Sequence, residues 1–253
     1  MPRLLLINPN TSAGVSALVL RHAQDAIGHL AQMDVVTARF GAPYIACEAS
    51  FAVAAHAVLD AWAVAQAAQQ AAGQAPYDAV LIACFGDPGL LALRQICPVP
   101  VTGLAEAAFC EASRLGRFAI VTGGAAWEPM LARLAHSLGY GPSLAAIHTV
   151  AATGAELARD PVAAEALLGQ ACQAAAAASG AALVILGGAG LAGMAQAVQP
   201  GVPVPVIDSV VAGVQHALAL CGTPVAPRAP LGLAWQGVSG ALAAIGALIR
   251  DEA

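Results

Sequence analysis

Cysteine is the residue in this chain best suited to moving a proton near neutral pH, because a thiol titrates at about 8.5 and can be tuned from there. Six occur, Cys47, Cys84, Cys97, Cys110, Cys172 and Cys221, scattered with no CxxC pair and no clustered histidines. That spacing argues against a disulfide framework and a structural zinc site, and suits a reducing cytoplasm. One of the six stands where chemistry could be done. Asp78 to Leu91 reads DAVLIACFGDPGLL: a short apolar run reaches Cys84, Phe-Gly-Asp-Pro-Gly breaks it, and a helix-like pattern starts. A short apolar run bounded by turn formers reads as a buried parallel strand. Cys84 then sits at the carboxyl end of a strand and near a helix start, where open α/β sheets hold their ligands. Backbone N–H groups and the helix dipole at such a place are expected to lower the thiol pKa toward neutrality. The plain alternative is a small buried hydrophobe.

The elements that must position this thiol can be followed along the chain. Arg3 to Ile7 is a short strand, NPNTS (Asn8 to Ser12) is the loop after it, and Thr11 or Ser12 can cap a helix reaching about Leu30. Asp34 to Ala38 is a second strand, Phe40 to Tyr44 a loop, and Ala49 to Ala72 a long alanine-rich helix. Val80 to Ala83 is the strand carrying Cys84; a helix runs from Gly89 to Gln95, a strand from Val99 to Thr102, a helix from Leu104 to Arg114 and a strand from Phe118 to Val121. Strands alternating with helices make an α/β fold with a mainly parallel sheet.

An internal repeat organises the whole. The stretch from Asp78 and the stretch from Ala181 both read strand, small-residue loop, helix, Val-Pro-Val strand and helix, with Cys84-Phe85-Gly86 opposite Gly188-Ala189-Gly190. RLLLINPNTSAG at Arg3 and RFAIVTGGAAWEP at Arg117 match in the same way. Two pseudo-symmetric lobes are therefore expected, residues 1–110 and 111–220, with an inter-lobe cleft between their strand-end loops; a chain crossing between the lobes stays open. Residues 221–253 match neither lobe and form a C-terminal extension: Pro224, Pro227 and Pro230 make a linker and Val238 to Arg250 a helix on the body or on a neighbouring subunit.

Composition excludes several function classes. A net charge of −5 leaves no basic stripe, so nucleic acid is not an expected partner. No Walker loop and no GxGxxG in a strand–helix context is present. Hydrophobic residues make up 59% and charged residues only 10%, which raises the membrane question. Ala46 to Ala72 carries Glu48, His56 and Asp60 and suits an amphipathic helix; Leu231 to Ile249 is uncharged but interrupted by glycines, Gln236 and Ser239. Neither is read as a span, and a homo-oligomer interface is the expected reason for the low charge. The histidines show no metal-like spacing, Asp208 is read as a helix N-cap, Asp87 as a turn former, and Trp62, Trp127 and Trp235 as packing residues.

The motifs INPNTS (Ile7 to Ser12), IACFGDPGL (Ile82 to Leu90), GLAEAA (Gly103 to Ala108), RFAIVT (Arg117 to Thr122), ILGGAGLAG (Ile185 to Gly193) and PVPVIDSV (Pro203 to Val210) resemble, in order, those of the Asp/Glu/hydantoin racemase superfamily, above all its hydantoin and allantoin racemase branch. The resemblance implies a cofactor-independent site between two lobes, acting on a small molecule with a carboxylate or ring carbonyls. It also implies racemisation by two cysteines, one thiolate removing the α-proton and the opposing thiol returning one. Carried over by position, Cys84 is the first-lobe cysteine, Asn10 and Thr11 bond a carboxylate or ring carbonyl, and the Phe85 and Gly86 amides hold the enolate oxygen. Thr122 grips the far end of the ligand, and Ile45, Gly123, Gly188, Ala189 and Gly190 complete the substrate-binding set. The plain alternatives are capping for Asn10 and Thr11, and a strand-end turn for Thr122.

Two departures bear on function. Where the family reads LGCAGM this chain reads Leu186 to Leu191, LGGAGL, so Gly188 stands at the second cysteine; a Thr-Thr pair is reduced to Thr122-Gly123. Neither Cys172 nor Cys221 stands in for it. Three readings follow: an isomerase acting at the α-carbon of an amino-acid derivative or cyclic ureide, its second proton taken from water or another side chain; a single-cysteine lyase resembling arylmalonate decarboxylases; and a ligand-binding protein without catalysis.

Overall fold

A computed structural model describes residues 1–152, 154–157, 160–226 and 234–248. The first half runs β1 (Arg3–Asn8), α1 (Ala13–Ile27), β2 (Gln32–Thr37), α2 (Glu48–Ala71), β3 (Ala79–Ile82), α3 (Leu90–Ile96), β4 (Val101–Gly103) and α4 (Leu104–Leu115). The second runs β5 (Phe118–Gly123), α5 (Trp127–Ser137), β6 (Leu144–Val150), α6 (Gly154–Leu157), α7 (Pro161–Ser179), β7 (Leu183–Leu186), α8 (Met194–Val198), β8 (Val206–Asp208) and α9 (Ser209–Leu220); α10 (Gly240–Leu248) follows. Among the described residues the strands form two four-stranded sheets, ordered β2-β1-β3-β4 and β6-β5-β7-β8, with every pair parallel. The fold is α/β, with two like sheets flanked by helices, as the repeat requires.

Local chemistry explains the boundaries. Leu4 to Ile7 and Ala79 to Ile82 are buried on both faces, which continuous apolar runs permit and alternating ones do not. Ser12, rather than Thr11, caps α1: its hydroxyl accepts from the Val15 N–H at 3.4 Å. The helix stops at Ile27, short of Leu30, because the Leu30 and Ala31 N–H groups turn back onto the Ile27 carbonyl and deliver the chain to β2. β4 starts at Val101, later than Val99, since Pro100 has no N–H for the ladder; its carbonyl still accepts from Val80.

Two helices cross between the sheets. α4 leaves β4 to lie against β7 and β8, and α9 leaves β8 to lie against α1, β3 and β4. They meet each other closely: a Cβ on Gly213 of α9 would stand 2.6 Å from Leu104 Cδ2 and 3.3 Å from Leu81 Cδ1, so only a hydrogen fits. Phe109 of α4 stacks on Phe118 of β5, 5.5 Å between centroids, and carries the core from one half into the other.

α2 is long and apolar enough to cross a membrane by length and composition, but 44% of its most apolar window is buried. It packs against β1, β2, α3 and α10, as a core helix does. α10 supplies buried Leu242 and Ile245 to the same apolar cluster. The expected helix Val238 to Arg250 is thus seen as Gly240–Leu248 on the body of its own chain; Arg250, Pro227, Pro230 and residues 231–233 and 249 lie outside the described residues.

Candidate active site

In each sheet the strand order turns at one place, between β1 and β3 and between β5 and β7, and ligands of open α/β sheets bind at the carboxyl ends there. The register makes the two places equivalent. Ile7 pairs with Ile82 and Val121 with Leu186; the Ala83 N–H donates to the Ile7 carbonyl at 2.7 Å, as the Gly187 N–H does to Val121 at 2.9 Å. Cys84 and Gly188 therefore occupy matching steps beyond β3 and β7, and Asn8 matches Thr122.

A cavity of about 430 Å³ lies between these strand ends. Of the residues expected at the site, Asn10, Ile45, Cys84, Phe85, Thr122, Gly123, Gly188, Ala189 and Gly190 line it. Thr11 and Gly86 do not. The Thr11 N–H is spent on the Ala42 carbonyl at 3.1 Å, holding the loop. Gly86 is buried behind Trp127, where a Cβ would be driven into the indole. Sequence reasoning missed Ser12, Val15, Leu18, Arg21, Tyr44 and Trp127 in the wall. The i, i+3 spacing of Val15, Leu18 and Arg21 along α1 is the signal that could have found three of them.

Asn10 is held by a network. Its Oδ1 accepts from Asn8 Nδ2 at 3.0 Å and from the Ser12 N–H at 2.9 Å, while Asn8 Nδ2 also reaches Ser16 Oγ at 2.9 Å. With the oxygen occupied, Asn10 has its amide donors left to offer a ligand carbonyl or carboxylate. Side-chain contacts join the two halves. The Tyr44 hydroxyl donates to the Gly123 carbonyl at 3.1 Å, Arg133 pairs with Glu48 at 2.7 Å, and Phe51 meets Trp127 edge to face.

The electrostatics of Cys84 run opposite to the expected direction. The residue is only 8% exposed; burial, followed by the charge of Asp87, pushes the thiol well above its ordinary range. The helix that was to lower it begins only at Leu90, and the intervening Asp87 is turned inward in a left-handed conformation, φ 51°. Its Oδ1 accepts from the Ala105 N–H at 2.9 Å and its Oδ2 from the Glu106 N–H at 2.7 Å, capping α4 from a distant loop. Burial raises the Asp87 carboxyl to about 7 against the pull of those N–H groups. A Cβ on Gly103 would strike this carboxyl, so glycine there makes room for it. In the matching place of the other half Asp208 supplies the carboxylate itself, accepting from Val210, Val211 and Gly193.

Opposite Cys84, Gly188 has φ 148°, a conformation open to glycine, whereas Asp87 is the single non-glycine with positive φ among the described residues. The second loop therefore differs from the first in backbone as well as side chain. The Gly188 N–H donates to buried Ser209 Oγ at 3.1 Å, and Phe85 fills the space a Cβ on Gly187 would need.

Comparison with known proteins follows the same outline. The sequence model of the family described as Asp/Glu/Hydantoin racemase matches residues 4–217. A hydantoin racemase of Pseudomonas sp. (strain NS671) is 40% identical over 141 residues, 55% of this chain and 57% of that protein. The hydantoin racemase of Paenarthrobacter aurescens is 33% identical over 219 residues, 86% of this chain and 90% of that protein. The solved allantoin racemase of Klebsiella pneumoniae is 30% identical with a TM-score of 0.81, covering 97% of this chain and 99% of that chain. The chain therefore belongs to the Asp/Glu/hydantoin racemase family and is a racemase-family enzyme.

Proposed function

We propose that this enzyme works at the α-carbon of a hydantoin-type cyclic ureide or related amino-acid derivative, with Cys84 as its acid–base group and no cofactor. The observation that carries the reading is the place of Cys84, in a cavity at the sheet's switch point beside the amide donors of Asn10 and the hydroxyl of Thr122. The Cys84 thiolate takes the α-proton and becomes a thiol, the electron pair passes into the adjacent carbonyl as an enolate, and Asn10 stabilises the developing charge. A water in the space beside Gly188 returns a proton to the other face, and the hydroxide formed is neutralised by the Cys84 proton through solvent, restoring the thiolate. Reprotonation from Cys84, after its S–H has exchanged with solvent, restores the starting hand with a solvent proton in place. Exchange should therefore outrun inversion.

Incubation of 5-substituted hydantoins and allantoin in D₂O tests this, with loss of the α-proton signal followed by NMR and inversion by polarimetry. Exchange faster than inversion is the expected result; no exchange with any of them sinks the enzymatic reading. Gly188→Cys should raise the ratio of inversion to exchange, since it supplies a second thiol. It should also cost about 1–2 kcal/mol of stability, read as a lower Tm, because a side chain at φ 148° is strained and its Cβ meets Leu191 at 3.3 Å. An unchanged ratio in a folded variant argues against a proton arriving from that side.

The protonated resting thiol favours a second reading. A buried thiol is a ready donor to an enolate formed by loss of CO₂, so release of CO₂ from a disubstituted malonate with a product of one hand would select a lyase. The low charge content and reduced cysteines support a cytoplasmic homo-oligomer, to be checked by light scattering.

A further inference from the structure

Arg21 carries the single charge in the cavity wall among the described residues. It is exposed at the mouth, and none of the ion pairs among the described residues includes it. The wall leading to it is one face of α1. Ser12 stands at the cap, then Val15 and Leu18 follow at helical spacing, with Leu191 also lining the cavity. From Ser12 to Arg21 the helix rises about 13 Å, more than a five-membered ureide ring fills. Long side chains on helices lean toward the helix N-terminus, and on α1 that direction runs along the cavity toward the Cys84 end. Gly14 adds width: a Cβ there would meet nothing nearer than Ser12 Oγ at 3.7 Å.

From this we infer that α1 forms a subsite for the substituent on the reacting carbon, and that Arg21 selects substrates whose substituent ends in a carboxylate. The ring binds at Asn10, Cys84 and Thr122, the methylenes of the substituent cross Val15 and Leu18, and the terminal anion meets the guanidinium. The inference rests on the hydantoin reading for the ring end; the charge preference at the far end stands on Arg21 alone.

The test compares 5-(2-carboxyethyl)hydantoin with 5-isobutylhydantoin, measuring Kd by calorimetry and α-exchange by NMR in the wild type, Arg21→Met and Arg21→Lys. The wild type should favour the carboxyethyl compound. In Arg21→Met the ratio of the two affinities should shift by about tenfold toward the isobutyl compound, the size of one solvent-accessible charge-assisted hydrogen bond, and Arg21→Lys should restore part of it. Raised salt should erode the wild-type preference. An affinity ratio that is the same in wild type and Arg21→Met overturns the subsite. Binding with the expected ratio but without exchange keeps the subsite and removes the racemase reading instead.

Discussion

Replacing Cys84 by serine should slow α-proton exchange of a 5-substituted hydantoin by about 10²–10⁴-fold, the usual contribution of one positioned acid–base group. A serine hydroxyl fills nearly the same volume, so the fold and ligand affinity give the control: melting temperature and calorimetric Kd should stay close to wild type while the exchange rate collapses. Exchange in Cys84→Ser at the wild-type rate would falsify the role of the thiol. The wild-type pH profile follows from the environment. Burial first, and the Asp87 charge second, hold the group as a thiol through neutrality. The thiolate fraction, and with it the exchange rate, should then rise about tenfold per pH unit across the neutral and mildly alkaline range. Since the thiol is raised above its unfolded value, its contribution to stability is complete below the ordinary thiol pKa and is lost as pH climbs beyond it. A plateau near pH 7 would show that ligand binding lowers the thiol, and the profile of the free enzyme's reaction with iodoacetamide separates the two cases.

Asp87→Asn is the second large effect, and it acts through the fold. The carboxyl accepts from two backbone N–H groups of α4, one at each oxygen. Asparagine offers one oxygen and sets an NH₂ against the other N–H, so a buried donor loses its partner at a cost of about 1–3 kcal/mol. Chemical denaturation measures this as a lowered midpoint. The pH dependence has a definite sign. Burial raises the Asp87 carboxyl to about 7, above the unfolded carboxylate range near 4. Its contribution is therefore fully present below about pH 4 and falls as pH rises through about 7. The difference between wild type and Asp87→Asn should narrow over that interval. A difference that widens instead would mean that the two N–H bonds outweigh burial. Loss of the carboxylate also removes the smaller of the two causes raising Cys84, so thiol alkylation in the variant should begin at lower pH.

Much of this arrangement was legible in the residues. Leu4 to Ile7 and Val80 to Ile82 are too short and too uniformly apolar to be anything but buried strands, and the match of Cys84 to Gly188 followed from the repeat before any register was known. What stayed hidden depends on contacts between residues far apart in the chain. The periodicity of α4 and α9 marks an apolar face on each, but says nothing of which sheet that face will cover. Asp87 reads locally as a turn residue; its bonds to Ala105 and Glu106, which hold the carboxyl inward near Cys84, span eighteen and nineteen positions. Arg21 lies on a helix whose pattern announces its buried side, and the wall it forms exists only once the second half is in place. Trp127, read as packing, packs behind Gly86 and faces the cavity as well.

The exchange of α4 and α9 limits what this molecule can become. Each sheet is roofed by a helix encoded in the other half of the gene, so neither half is a self-sufficient unit of inheritance. A cut near residue 116 would give two pieces that each lack a roof and expose the apolar sheet beneath it, soluble only when made together. Selection among substrates then falls to what lines the length of the cavity holding Cys84.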